Sequence, residues 1–190
     1  YNFSYFKKKF DNSSILSYKY VYIYSDLRFF LGQNINDRNF TIKILNYFEK
    51  KNITIIVPSF SYTKDKFDIR KTKSKVGFLS NYILNNKNFE RSEHPLFSYV
   101  SIGPNKKIVK KIGKSAFGNN SMHARLLFKN TCFLHIGRDL TFGNTLVHHV
   151  EQNLNANYRF DKKFNTLVYN NNKYYGNNFK AYVRKDNDNK

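Results

Sequence analysis

The spacing of apolar positions changes along this chain, and the changes predict its elements. Lys19 to Tyr24 alternates through aromatic and β-branched residues and reads as a strand. From Asp37 to Lys50 the apolar positions Phe40, Ile44, Leu45 and Phe48 recur at helical spacing. Ile53 to Val57 is a short continuous apolar run stopped by Pro58, as expected of a buried strand. Val76 to Leu84 returns to helical spacing through Phe78, Leu79, Tyr82 and Ile83. Strand, helix, strand, helix implies a layered α/β fold.

Further on, Leu96 to Ile102 predicts another strand, ended by Gly103-Pro104, and the Lys-rich stretch from Asn105 to Ile112 reads as helical. A polar loop is expected through Phe117 to Ser121, then a buried strand over Thr131 to Ile136. A loop at Gly137 to Gly143 leads into a helix from Thr145 to Leu154, and Thr166 to Tyr169 and Lys180 to Arg184 look like closing antiparallel strands. The tracts Asn170-Asn171-Asn172 and Gly176-Asn177-Asn178 have the composition of hairpin turns. No repeat or linker interrupts the pattern. The expected fold is α/β: one domain over 1–190, a layered sheet with mixed parallel and antiparallel strands, flanked by helices.

Composition narrows this picture. Hydrophobic residues make up 41% of the chain and aromatics 18%, which supplies a core and argues against disorder. The 33 Lys and Arg against 13 Asp and Glu give a formal charge of +20, which attracts phosphates of a cofactor, a nucleotide sugar, nucleic acid or anionic lipid without choosing among them. Much of the excess is Lys mixed with Asn, Ile and Tyr, a mixture that A/T-rich coding also produces. The single cysteine, Cys132, forms no internal disulfide and no cysteine metal site, which fits a cytoplasmic location, and its apolar surroundings fit a structural thiol better than a nucleophile. No run approaches the roughly 20 apolar residues a membrane-spanning helix needs, and the basic, aromatic opening from Tyr1 to Phe10 has no apolar signal core after it. The chain starts without Met and ends in a polar run from Lys185 to Lys190, so truncation at one or both ends is expected.

The most informative chemistry lies in Thr145-Leu146-Val147-His148-His149-Val150-Glu151. His148 and Glu151 stand three apart and share a face if the segment is helical, while His149 points elsewhere. Near a helix start the backbone field keeps His148 neutral and able to take a proton, and the carboxylate would stabilise the imidazolium once formed. Acyl transfer to an amine needs such a base. The same spacing also serves a histidine that caps or packs a helix. No metal site is expected, because His94, His123 and His135 offer no matching third ligand.

A second constellation follows the predicted strands: Ser25-Asp26-Leu27, Pro58-Ser59-Phe60-Ser61-Tyr62, and Thr72-Lys73-Ser74-Lys75-Val76-Gly77 entering a helix. In an α/β sheet such strand ends and helix starts converge on a crevice, where free N–H groups and basic residues attract a pyrophosphate. The serines and threonines also suit ordinary helix caps. A third cluster, Glu93-His94-Pro95 with Ser98, reads as a functional group or as a polar turn.

Taken in order from Tyr22 to about Arg184, these stretches resemble the aminoglycoside 3-N-acetyltransferase-like family. The matching segments are Tyr24 to Leu27, Val57 to Tyr62, Phe67 to Arg70, Thr72 to Gly77, Arg91 to Pro95 with Phe97-Ser98, and Ile102 to Pro104. Phe117-Gly118 with Ser121, Ala124 to Leu126, Val147 to Glu151 and Tyr158 to Phe160 complete the set. The resemblance implies direct acetyl transfer from acetyl-CoA to an amine, with His148 as general base and Glu151 orienting it or holding the amine. It implies cofactor contacts from Ser25, Asp26, Leu27, Ser59, Thr72, Ser74, Val76, Gly77 and Ser121, and substrate contacts from Tyr62, Asp68, Glu93 and His94. Two features depart from the family: Tyr24 stands where members usually carry histidine, and the chain is shorter at both ends than typical relatives.

Aminoglycosides are polycations that call for an acidic pocket, and this chain is poor in acids, so a nucleotide-linked amino sugar is the easier acceptor electrostatically. The expected partners are acetyl-CoA and a small amino-sugar acceptor, with a homodimer possible, no membrane, and nucleic acid disfavoured. A basic nucleic-acid-binding module and a non-catalytic relative remain as alternatives. The first draws on charge and interleaved Tyr and Phe, the second on Tyr24 and the short termini.

Overall fold

A computed structural model describes residues 3–26, 37–137, 139–141 and 143–185. The elements are α1 (Phe3–Asp11), β1 (Tyr20–Ser25), α2 (Asp37–Lys50), β2 (Thr54–Pro58), β3 (Lys66–Asp68), α3 (Phe78–Asn86), β4 (Glu90–Arg91) and β5 (Tyr99–Ile102). They continue with α4 (Met122–Leu127), β6 (Thr131–Ile136), α5 (Leu146–Asn153), β7 (Arg159–Asn170) and β8 (Lys173–Arg184). Five strands form one sheet in the order β4-β5-β2-β1-β6, and β3-β7-β8 form a second. Around β1 the pairing is parallel to β2 and β6, whereas β5 runs antiparallel to β2 and β4. The mixed sheet flanked by helices is the expected fold.

The period-2 pattern of β1 sorts its side chains onto two buried faces. Val21 and Ile23 point into an aliphatic layer with Ile44, Leu45 and Phe48 of α2 and Leu79 and Ile83 of α3. Tyr20, Tyr22 and Tyr24 point to the other side, where Ile56, Tyr99, Met122 and Leu126 cover them. Each fully buried aliphatic or aromatic side chain contributes roughly 1.5–3 kcal/mol. The tyrosine face also carries hydroxyls that need partners, and this places a polar network inside the core.

Several expectations are corrected. The opening segment, for which the pattern predicted no element, forms α1, because Phe3, Phe6 and Phe10 lie on one helical face that packs on Phe40, Tyr47 and Phe48. The Lys-rich stretch holds only one 3-10 turn, Lys106–Val109, since Lys110 is already extended. The polar loop at Phe117 to Ser121 leads into the short α4, where the Ser121 hydroxyl accepts from the Ala124 N–H at 3.3 Å. The closing strands are 12 residues each, and Gly176-Asn177-Asn178 lies within β8 instead of a turn. The turn is at Asn171 and Asn172, both with positive φ (48° and 62°), the left-handed pair that a tight hairpin requires.

Candidate active site

The carboxyl ends of the parallel strands β1 and β2 open into a cleft of about 530 Å³. Ile23, Tyr24 and Ser25 line it from β1, Val57 and Pro58 from β2, Val76, Gly77, Leu79 and Ser80 from the start of α3, and Thr145 and His148 from α5 and the residue before it. Arg159 and the last residues of β8 close the far wall. Such a crevice at strand ends is where open α/β sheets bind ligands.

Local sequence fixes the helix that carries the central pair. Gly143 takes φ 61° just before it, and the Asn144 side-chain oxygen accepts from the Leu146 N–H at 3.1 Å, satisfying a donor at its first turn. At the other end Asn155 has φ 51° and the Ala156 N–H reaches back to Glu151 O at 3.0 Å, a left-handed stop. One face of the helix then presents both His148 and Glu151.

His148 Nδ1 lies 2.8 Å from Glu151 Oε2, with the His148 side chain 34% exposed and that of Glu151 14%. Arg159 Nε lies 2.8 Å from the same carboxylate oxygen, and Arg159 Nη2 lies 3.1 Å from His148 Nδ1. The Tyr158 hydroxyl donates to the other oxygen, Oε1. A carboxylate and an imidazole lone pair at 2.8 Å would repel, so Nδ1 carries the proton and donates to Glu151. In the neutral ring Nε2 is then the unprotonated nitrogen. Burial pushes the Glu151 carboxyl up, but Tyr158, His148 and Arg159 together hold it below the ordinary carboxylate value. The carboxylate therefore stays charged beside the imidazole at neutral pH. Phe117 packs edge-on to the His148 ring at 5.2 Å and limits its tilt.

Beneath this pair sits the polar network of the tyrosine face. The His123 ring is fully buried, with Nε2 3.3 Å from the Tyr24 hydroxyl and 3.1 Å from Thr145 Oγ1, and Nδ1 3.3 Å from the Tyr99 hydroxyl. Burial, with His149 and His148 nearby, lowers its pKa to about 3, so His123 is neutral and acts as a fixed hydrogen-bond junction. Tyr24 is built into this junction, and its ring stacks on His135 with centroids 4.6 Å apart.

The predicted site residues divide into two groups. Ser25, Tyr62, Val76 and Gly77 line the cleft with His148, and Gly77 takes φ 72° with open space where a Cβ would stand. Asp26 follows Ser25, with its backbone N–H on Ile136 O at 2.9 Å, and Leu27 lies outside the described residues. The others hold the scaffold. Ser59 is buried against Arg91 and Ser98, Thr72 accepts from the Asp68 N–H, and Asp68 Oδ1 accepts from the N–H groups of Arg70 and Lys71. Ser74 closes its own turn on Val76, and Ser121 caps α4. His94 is buried, its Nδ1 accepting from Leu96 and Phe97 N–H groups and its Nε2 donating to Lys180 O at 3.0 Å. Glu93 lies beside it, away from the cleft.

Sequence reasoning gave no role to Arg159, Thr145, Phe117 or Arg184. Arg159 begins β7 and is 8% exposed, and its only mark in the sequence is its place in the matching segment Tyr158 to Phe160. Cys132 on β6 is half-buried, and burial pushes its thiol up, which keeps it unreactive. Among the described residues no group of three or more His, Cys, Asp or Glu could hold a metal, and no helix is long and apolar enough to cross a membrane.

Known structures share this architecture. The YokD protein from Bacillus subtilis is 18% identical, with a TM-score of 0.71 over 90% of this chain and 78% of its own. Sisomicin-bound AAC-VIa gives a TM-score of 0.76 at 16% identity, over 96% of this chain and 76% of its own. The apoenzyme of aminoglycoside acetyltransferase AAC(3)-IVa gives 0.71 at 17% identity, over 98% and 71%. At these identities the likeness is one of fold. No curated protein matches the chain by sequence. Residues 46–189 match the profile described as Aminoglycoside 3-N-acetyltransferase, and with most of its length so matched the chain belongs to the aminoglycoside 3-N-acetyltransferase family.

Proposed function

We propose that this chain is an acetyl-CoA-dependent N-acetyltransferase that acylates an amine of an amino sugar, with His148 as general base. One observation carries the reading: His148 lines a strand-end cleft while Glu151 holds its Nδ1 proton at 2.8 Å, leaving Nε2 as a base on that side. Family membership supplies the reaction class.

Acetyl-CoA, when bound, brings the acetyl thioester. The apolar walls from Ile23, Val57, Phe60, Leu79 and Phe97 would exclude water from it, and the start of α3, which no side chain caps at Gly77, offers backbone donors to its phosphates. His148 Nε2 takes a proton from the acceptor amine as the nitrogen bonds to the acetyl carbon. The carbon–sulfur bond breaks, and the proton passes from Nε2 to the departing thiolate. Glu151 stabilises the imidazolium in between, and Arg159 and Tyr158 fix the carboxylate. A cytoplasmic site of action fits both the use of acetyl-CoA and the single free cysteine.

The test is thiol release from acetyl-CoA with a panel of amino sugars and aminoglycosides, comparing the chain with His148→Ala. Turnover that falls by roughly 10²- to 10⁴-fold in the variant is the expected result. Absence of turnover on every amine by a folded protein, or turnover unchanged in the variant, would sink the reading.

A further inference from the structure

Resting on the acetyltransferase reading of the cleft, we infer that Arg184 anchors an anionic group of the acceptor, so that the acceptor is an amino sugar carrying phosphate or carboxylate and not a polycationic antibiotic. Among its described residues the cleft lining contains two arginines, Arg159 and Arg184, one histidine, and no Asp or Glu. The carboxylate behind His148 is already engaged, since Glu151 meets Arg159 and His148 on one oxygen and Tyr158 on the other. Asp26 follows the lining residue Ser25 without joining the lining. A ligand with several ammonium groups would shed water here against fixed positive charge, with no acid among the described lining residues to receive it.

The two arginines differ in what the fold does with them. They are direct cross-strand partners in the β7–β8 ladder, an arrangement in which like charges destabilise the sheet. Arg159 is compensated: it is buried, paired with Glu151, and donates to Tyr182 O at 3.1 Å. Arg184 is exposed and makes no ion pair among the described residues. It stands at the cleft as a charge that the fold does not need and that its neighbour opposes. A guanidinium presents a planar fork of donors that matches phosphate or carboxylate with two parallel hydrogen bonds. The net charge of +20 draws the same class of ligand over a longer range.

The phosphates of CoA share this chemistry, so the experiment separates the two sources. Binding of UDP-glucosamine, glucosamine 6-phosphate, glucosamine, kanamycin and CoA is measured by titration calorimetry on the chain and on Arg184→Gln, which keeps polarity and loses charge. Both phosphorylated sugars are expected to bind at least about ten-fold more tightly than glucosamine, with kanamycin weakest, and the variant to lose most of that margin while its CoA affinity stays within about two-fold. Kanamycin bound as tightly as the phosphorylated sugars, no binding of either phosphorylated sugar, a margin unchanged in the variant, or a loss confined to CoA would each overturn the assignment. Thiol release in the same mixtures keeps the two readings apart. Phosphorylated sugars bound through Arg184 without acetylation would remove the acetyltransferase reading alone, and acetylation of kanamycin alone would remove only this one.

Discussion

Glu151 joins His148 to Arg159: its Oε2 lies 2.8 Å from His148 Nδ1 and 2.8 Å from Arg159 Nε, across a helix and the first residue of a strand. The imidazole is thereby held in one tautomer by a carboxylate that cannot turn away, because Tyr158 occupies its second oxygen. Arg159 Nη2 at 3.1 Å from Nδ1 is the competitor. If it donated there, the proton would move to Nε2 and the proposed base would be lost, so the proposed mechanism depends on the carboxylate winning this contest.

Glu151→Gln tests that contest. The amide can still accept from Nδ1, but it no longer stabilises the imidazolium. The expected result is a kcat lower by at least about ten-fold with KM for the amine little changed, the pattern of an interaction made in the transition state. A variant that raises KM and spares kcat would instead put Glu151 on the amine.

Arg159 divides differently between folding and chemistry. Arg159→Met leaves a largely buried carboxylate without its cation and Tyr182 O without its donor, so a stability loss of about 1–3 kcal/mol is expected in urea unfolding, together with lower kcat. Arg159→Lys keeps the charge and gives up the fork, and should recover most of the stability and part of the rate. Equal loss in both variants would mean that shape, not charge, is what the position supplies.

The two layers of β1 were legible because a period of two is written directly in Tyr20 to Tyr24, and the 14 residues of α2 because four apolar positions repeat at helical spacing. The fate of Lys106 to Ile112 was not, since charge and helical propensity there lose to a chain already extended at Lys110. The site shows the same division. His148 and Glu151 lie one turn apart, so local spacing joins them, whereas Arg159 and Arg184 reach the cleft only through the β7–β8 pairing, which no local pattern records. Serines and threonines after strands mark a crevice and also mark caps and turns: Ser121 caps α4, Thr72 and Ser74 close turns, and Ser59 is taken up by Arg91.

Arg91 explains why so many of those polar groups point inward. Its guanidinium is fully buried over the Phe67 ring, with Nε donating to Ser59 and Ser98 hydroxyls at 2.9 and 3.1 Å and Nη2 donating to Ser59 O at 2.8 Å. Nη1 donates to Thr72 O, which ties the turn before α3 to the end of β2. Burial lowers its pKa to about 10, so it stays charged at neutral pH. Arg91→Met would leave these acceptors unpaired in the core, and a loss of about 3–5 kcal/mol, enough to expose the cleft to proteolysis, is expected. A midpoint in urea within error of the parent would show that the staple is dispensable.

The buried histidines set the acid limit of the fold. Burial holds His94 at about 4 in the folded chain and, with its histidine neighbours, His123 at about 3, against about 6.5 when unfolded. Between those values the unfolded chain binds more protons, so stability is full above about pH 6.5 and falls as pH drops toward 4 and 3. From pH 7 to pH 5 each group should remove about 2 kcal/mol, at up to roughly 1.4 kcal/mol per pH unit. Glu151, whose pKa is lowered, acts only below the carboxylate range and leaves this window clear. Urea unfolding at pH 7 and pH 5 reads the difference directly. In His94→Asn, where an amide oxygen can still accept from Leu96 and Phe97 N–H groups, about 2 kcal/mol of that difference should vanish; the same pH dependence in parent and variant would mean that His94 takes up its proton without unfolding the chain.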